Sequence, residues 1–158
     1  MNYHPVTQKI TSLLKENNIW FETFEHEEVR TSKEAAKVRD GFTLEQAAKA
    51  LIVRVKSPST SLRVNKIQFL MLVFPANLRF DNSKVKALLN IKDIRFATEE
   101  EVFSISPFGN LFALETIVDQ KLFDNDKTVF NAGDRRFSVA MKSLDYKNLV
   151  NPKVAKIV

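Results

Sequence analysis

The sequence predicts a mixed α/β fold of the α+β kind, in a single domain covering residues 1–158. Three observations predict it. Apolar, β-branched runs of strand length recur along the chain. They alternate with segments of helical spacing that begin at capping sequences. The 158 residues, 44% hydrophobic and 27% charged, fit one globular core.

Val6, Ile10, Leu13 and Leu14 fall on one helical face, so Pro5 to Asn17 reads as an amphipathic helix, and Asn17-Asn18 tolerates the left-handed stop. Trp20 to His26 is aromatic-rich and reads as a strand. Thr31-x-x-Glu34 is a capping box opening a helix that runs to about Arg39, with Gly41 as its stop. Thr43-x-x-Gln46 repeats the pattern and predicts a second short helix through Ala47 or Ala48. Ala50 to Val55 and Ile67 to Val73 then read as two strands of a hairpin, joined across a polar turn at Ser57 to Ser61. The second is apolar throughout, as a central strand covered on both faces would be.

Asn82 is placed to cap a helix carrying Val85, Leu88 and Leu89, and Thr98-x-x-Glu101 is a third capping box. Ser106-Pro107-Phe108-Gly109-Asn110 carries the strongest turn chemistry of the chain. Leu114 to Val118 reads as a strand ending at Asp119. Lys127 to Asn131 and Phe137 to Met141 read as two more, flanking Gly133-Asp134. Ser143 is placed to cap a last helix before Pro152.

Composition restricts the chemistry. Without cysteine there is no disulfide, thiol nucleophile or Cys-based zinc site. Two histidines, His4 and His26, cannot alone build a metal site, and no metal or other cofactor is expected. There is no glycine-rich phosphate loop and no nucleophile elbow around a serine. An enzyme of this kind works by positioning, backbone dipoles and a lysine. The formal charge of +5 suits a polyanionic partner, and serves solubility equally well. No apolar run approaches the roughly 20 residues that span a bilayer, so no membrane association is expected. With no signal peptide legible at the N-terminus, the expected location is the cytoplasm.

Four segments taken in order resemble the YbaK/ProX-type aminoacyl-tRNA deacylases, the trans-editing proteins related to the insertion domain of prolyl-tRNA synthetase. They are Phe24-Glu25-His26 with Val29-Arg30-Thr31 and Glu34-Ala35-Ala36; Ala48-Lys49-Ala50-Leu51-Ile52-Val53; Ser104-Ile105-Ser106-Pro107-Phe108-Gly109; and Asn131-Ala132-Gly133 followed by Ser138-Val139-Ala140-Met141. The resemblance spans about Ile19 to Leu149. It implies a mixed, barrel-like sheet surrounded by helices, and hydrolysis of the ester joining a wrong amino acid to the 3′ end of tRNA. Its implied substrate is aminoacyl-tRNA, and an aminoacyl-tRNA synthetase is a further partner to consider. Oligomeric state is left open.

The resemblance gives Lys49 the catalytic role. At a helix-to-strand junction its ammonium could bind the ester carbonyl or the terminal phosphate, whereas an arbitrary lysine would be merely solvated. The loop Phe103, Ser104, Ile105, Ser106 and Pro107, with Gly109 behind it, is implied to hold the aminoacyl end. Relatives commonly carry glycine where this chain has Phe103, which implies a reshaped pocket, a shifted loop or lost activity. Phe24, His26 and Thr31 are implied pocket residues, although a core aromatic, a strand cap and a helix cap would explain them too. Asn131 and Gly133 could bring backbone near the substrate or form a hairpin turn. Ala132 would lie at the pocket floor and offer no polar handle. Asp119 could orient Lys49 or cap a turn.

The leading function is therefore a free-standing editing hydrolase that clears mischarged tRNA by metal-free ester hydrolysis and selects by pocket size. The alternative is a catalytically inactive tRNA- or synthetase-binding module of the same fold. General single-stranded nucleic-acid binding is a weaker third, because most of the 13 phenylalanines lie in apolar runs rather than among basic residues.

Overall fold

The computed structural model describes residues 2–58, 65–97 and 106–158. Its elements are α1 (Pro5–Glu16), β1 (Phe21–Glu25), α2 (Ser32–Lys37), β2 (Ala48–Pro58), β3 (Asn65–Pro75), α3 (Asn82–Leu89), β4 (Asp93–Phe96), β5 (Glu115–Asp119), β6 (Lys127–Asp134), β7 (Phe137–Lys142), α4 (Ser143–Val150) and β8 (Lys153–Ala155). Short 3₁₀ turns span Gly109–Phe112 and Gln120–Asp124. The α+β expectation holds. The strands form two sheets, ordered β1-β7-β6 and β4-β2-β3-β5-β8, linked by a parallel bridge between Ala47 and Val129. The sheets do not close on themselves, so the barrel-like expectation is met only loosely.

Burial patterns explain the arrangement. The long antiparallel pair β2–β3 forms the predicted hairpin, with Ile52 opposite Met71. Met71 and Val73 pack on one face of the larger sheet with Ile10 and Leu14 of α1, Phe130, Val139 and Tyr146. Leu70, Leu72 and Phe74 pack on the other face with Val53, Val55 and Val85 of α3. This two-sided burial is what the unbroken apolar run in β3 requires. Strand β5 joins β3 in parallel, and β8 joins β5 in parallel.

Several local expectations are corrected. The Thr43–Gln46 pattern makes a turn, not a helix: Gln46 Oε1 accepts from the Thr43 N–H at 3.0 Å, and the chain enters β2 at once. Only one turn's length separates it from the hairpin, whose pairing wins over local propensity. Asp81, not Asn82, caps α3, its Oδ1 accepting from Ser83 and Lys84. Ser143 is the first residue of α4 rather than its cap, and its hydroxyl is buried without a hydrogen-bond partner among the described residues. Helix α2 ends at Lys37, two residues short of Arg39. The predicted box at Thr98 to Glu101 lies outside the described residues. So does most of the Ser57–Ser61 turn, while Ser57 and Pro58 extend β2.

Candidate active site

A cavity of about 1100 Å³ opens where the start of β2, the α2 N-terminus and the β6–β7 hairpin meet. Strand β4 covers the far edge of β2 only over Val53 to Lys56. The Ile52 carbonyl accepts from the Ala97 N–H on that edge, while the Ala47 carbonyl turns the other way, toward β3, to accept from Ala76. The alternation of an antiparallel strand therefore directs the N–H and C=O of Ala50 out of the sheet edge, on the side the cavity occupies. Lys49, the neighbour of that peptide, lines the same cavity. Its side chain is exposed, and its ammonium makes no hydrogen bond or ion pair with the described residues.

The α2 wall is built by the predicted capping box. Thr31 Oγ1 accepts from the Glu34 N–H at 3.1 Å, and Glu34 Oε2 accepts from the backbone of Thr31 and Arg30. Those backbone donors hold the Glu34 carboxyl below its ordinary range. Thr31 lines the cavity while serving as cap.

The β6 wall depends on a break in register between Asn131 and Asp134. Gly133 adopts φ +87° there, packed against Val6 and Thr7 of α1. It belongs to a bulge; Arg135 and Arg136 make the hairpin turn itself. Asp134 ties the hairpin to the chain's start. Its carboxylate accepts from Arg136 Nε and Nη2 at 3.0 and 2.9 Å, and from the backbone N–H of Arg136 and His4, both at 3.0 Å. Those bonds, the Arg136 guanidinium first, hold its carboxyl well below the usual carboxylate range. A depressed folded pKa means stability fully present above the unfolded value near 3.9 and lost as pH falls through the folded one. Between pH 5 and 3 the wild type should therefore lose more melting temperature than Asp134→Asn, measured by circular dichroism at each pH. Equal acid limbs would remove Asp134 from the account.

The wall near Pro107 is anchored from behind. The buried Tyr146 hydroxyl donates to the Pro107 carbonyl at 2.6 Å, and burial pushes its phenol pKa up. Phe108 packs against Phe130 and Tyr146. Gly109 is pressed onto β5 so closely that a Cβ would lie 1.9 Å from Thr116 Oγ1.

Of the residues the sequence singled out, Lys49, Thr31, Pro107, Asn131 and Gly133 border the cavity. Phe24, His26, Ser106, Gly109 and Ala132 do not. Phe24 meets Phe42 edge-on at 5.9 Å, and Ala132 is fully buried in the core rather than forming a floor. Ser106 is buried, its hydroxyl without a hydrogen-bond partner among the described residues. Phe103, Ser104 and Ile105 lie outside the described residues. Asp119 holds the chain end: its Oδ2 accepts from Ile157 and Val158, its Oδ1 from Lys121, and it does not touch Lys49. His26 reaches the site indirectly. Its Nδ1 donates to the Glu27 carbonyl at 2.8 Å, and its Nε2 shares a hydrogen bond of 2.8 Å with the Ser138 hydroxyl.

Sequence reasoning missed Arg39. It lines the cavity, is 4% exposed, and donates to Ser138 Oγ at 3.0 Å and Asn131 Oδ1 at 2.7 Å. The described lining holds five Lys and Arg residues against two carboxylates, Glu28 and Asp134. Glu28 is engaged by Arg30 and Arg135, and Asp134 by Arg136. Arg39 and Lys49 are thus the lining cations without a carboxylate partner among the described residues. No group of three or more His, Asp or Glu suited to a metal occurs among them either.

Residues 26–149 match the model of the aminoacyl-tRNA editing domain. The chain belongs to that family. The editing-domain match spans the α2 wall, Lys49, the Pro107 turn and the β6–β7 hairpin, so every wall described above falls within it. A curated relative, the multifunctional Ser/Thr-tRNA deacylase ProXp-y of Escherichia coli (strain K12), is 27% identical over 156 residues, 93% of this chain and 89% of its own. Among solved structures, one provisionally assigned as a trans-editing enzyme for prolyl tRNA synthetase superposes with a TM-score of 0.77 at 19% identity, covering 99% of this chain and 98% of its own. The hypothetical protein APE2540 superposes at 0.76 and 19% identity, over 94% and 98%. These two likenesses concern the fold. An editing domain acts on aminoacyl-tRNA, and an excess of cations around the cavity suits that polyanion. No helix among the described residues is long and apolar enough to cross a membrane.

Proposed function

We propose that this editing domain hydrolyses the ester of mischarged aminoacyl-tRNA in trans, as one domain over residues 1–158, with Lys49 as its functional cation. The observation that carries the reading is an exposed ammonium with no carboxylate partner among the described residues, bordering a cavity beside an outward-facing peptide edge. Water would add to the ester carbonyl, placing negative charge on its oxygen. Lys49 and the Ala50 N–H are the donors for that oxyanion. The bond to the terminal ribose oxygen then breaks, that oxygen leaves with a proton, and free amino acid and tRNA result. Residues that border the cavity from the other side, Thr31, Pro107, Asn131 and Gly133, would hold the aminoacyl group. His26 would act only indirectly, through the buried Ser138 that touches Arg39 and Asn131.

The reading places the protein in the cytoplasm with charged tRNA, and a synthetase that misacylates tRNA would be the partner that supplies its substrate. The inactive-module alternative rests on Phe103, outside the described residues, and a deacylase relative weighs against it. Because that relative is named for seryl and threonyl groups, seryl- and threonyl-tRNA head the panel that tests the proposal. Incubation with purified protein should release amino acid from at least one member of a panel of mischarged tRNAs. Salt-sensitive tRNA binding with no release from any member would replace this reading with the binding module.

A further inference from the structure

Phe96 is 60% exposed, whereas every other phenylalanine among the described residues is buried or partly buried. A single exposed apolar side chain is ordinary and by itself says nothing. Its place is what matters. Phe96 ends β4 and borders the cavity that Lys49 lines. Its ring is anchored: it meets Phe80 edge-on at 5.9 Å, and Phe80 meets the buried Phe74 at 6.0 Å. The ring is thus rooted in the core on one side and otherwise largely open, at the border of the site.

The register of the larger sheet puts Phe96 and Lys49 on the same face. Phe96 stands directly opposite Val53 of β2, and directly opposed residues share a face. Counting back by twos from Val53 gives Leu51 and then Lys49. The packing agrees: Val53 and Leu51 join Phe74 and Phe80 on the α3 side, whereas Ala50 and Ile52 pack on the other side. Lys49 in turn stands opposite Phe74. Four residues of strand separate Lys49 from Val53, a rise of about 13 Å. Leu51 lies between them and also borders the cavity, and β4 does not pair with β2 there. An apolar shelf therefore runs along one sheet face between the ring and the lysine.

We propose that the Phe96 ring stacks on the base of the terminal nucleoside of the tRNA while Lys49 holds the ester on the same ribose. This rests on the deacylase reading and adds a binding residue to it. The 3′ end of a tRNA is single-stranded, so its last base is free to stack, and aromatic side chains are the usual platform for such bases. Ester and base are substituents of one sugar, so a site that grips both presents its two groups about one nucleoside apart. The spacing of Lys49 and Phe96, with a long side chain at one end and a ring at the other, suits that length. The amino acid is a poorer occupant for this place. Selecting it by size needs enclosing walls, which a ring this open does not supply, and Thr31, Asn131 and Gly133 lie on other elements. A phenyl ring has no charge, so its contact adds affinity without adding salt dependence.

The test is subsaturating single-turnover deacylation of a mischarged tRNA that the wild type hydrolyses, beside the same aminoacyl-tRNA with a terminal nucleoside that lacks its base. The wild type should hydrolyse the intact substrate about tenfold faster or more, the scale of one base–aromatic stack. Phe96→Ala should fall to the wild type's abasic rate on both substrates, with the salt dependence of the wild type because no phosphate contact is lost. Phe96→Tyr should keep the preference. Should Phe96→Ala fold poorly, Phe96→Leu keeps an apolar contact for Phe80 without a ring, and it should lose the preference at a melting temperature near that of the wild type. A purely structural role would slow both substrates alike and leave their ratio intact. A wild type indifferent to the base, or ring-free variants that keep the wild-type preference, overturns the inference and leaves the deacylase reading intact. Release of amino acid from no tRNA in the panel removes both.

Discussion

Gly133→Ala should be strongly destabilising, costing about 2–5 kcal/mol. Two effects add. The residue holds φ +87°, where an L side chain pays about 1–2 kcal/mol for its Cβ against the following carbonyl. The new Cβ would also fall 2.7 Å from both Cβ and Cγ1 of Val6, and 3.2 Å from the Thr7 nitrogen. Overpacking against a helix start costs a further 1–3 kcal/mol, roughly. Gly41 separates the two effects. It has nearly the same backbone, φ +85°, and a methyl group added there would meet nothing within 4 Å, so Gly41→Ala should bear the backbone cost alone. At about 2–4 °C per kcal/mol for a chain of this size, the two variants should melt several degrees apart. Equal melting points would mean that Gly133 is needed for its backbone conformation only, and that α1 can yield. The substitution should also reduce activity, because the bulge at Gly133 carries Asn131 and Asp134 on its flanks.

What was legible in the sequence follows from how far each interaction reaches. The Thr31–Glu34 box is complete within four residues, and it forms as read. The β2–β3 hairpin is written in two apolar runs close together in sequence, and the run in β3 announces its burial on both faces. The local pattern at Thr43–Gln46 is as good a box on paper. It fails as a helix because β2 begins at Ala48, under pairing with Pro75 that no local rule contains. Strands β4 and β8 are four and three residues long and owe their form to their partners β2 and β5, so nothing within them signals a strand. Lys49 could be singled out because its neighbours form an ordered set with three other segments. Arg39 could not. Its burial comes from Asn131 and Ser138, more than ninety residues away, and alone in sequence it reads as one more charge at a helix end. Asn131 and Gly133 were visible as a turn-like cluster, but the bulge beside which one borders the cavity and the other meets α1 exists only once β6 and β7 pair.

Lys49→Ala carries the largest expected effect on activity. Removing one preorganised donor from a developing oxyanion costs on the order of 10²–10³ in rate. The same substitution should leave stability within about 0.5 kcal/mol, as expected for an exposed side chain without partners among the described residues. Lys49→Arg keeps the charge but replaces a compact ammonium by a planar fork on a different stem, so it should recover binding of tRNA better than rate. The decisive measurement is the single-turnover rate of amino-acid release from a mischarged tRNA that the wild type hydrolyses, taken side by side for wild type and Lys49→Ala at matched melting temperature. A loss of about a hundredfold or more in the folded variant is the predicted result. An unchanged rate would contradict the assignment of chemistry to the Lys49 ammonium and to the cavity it borders.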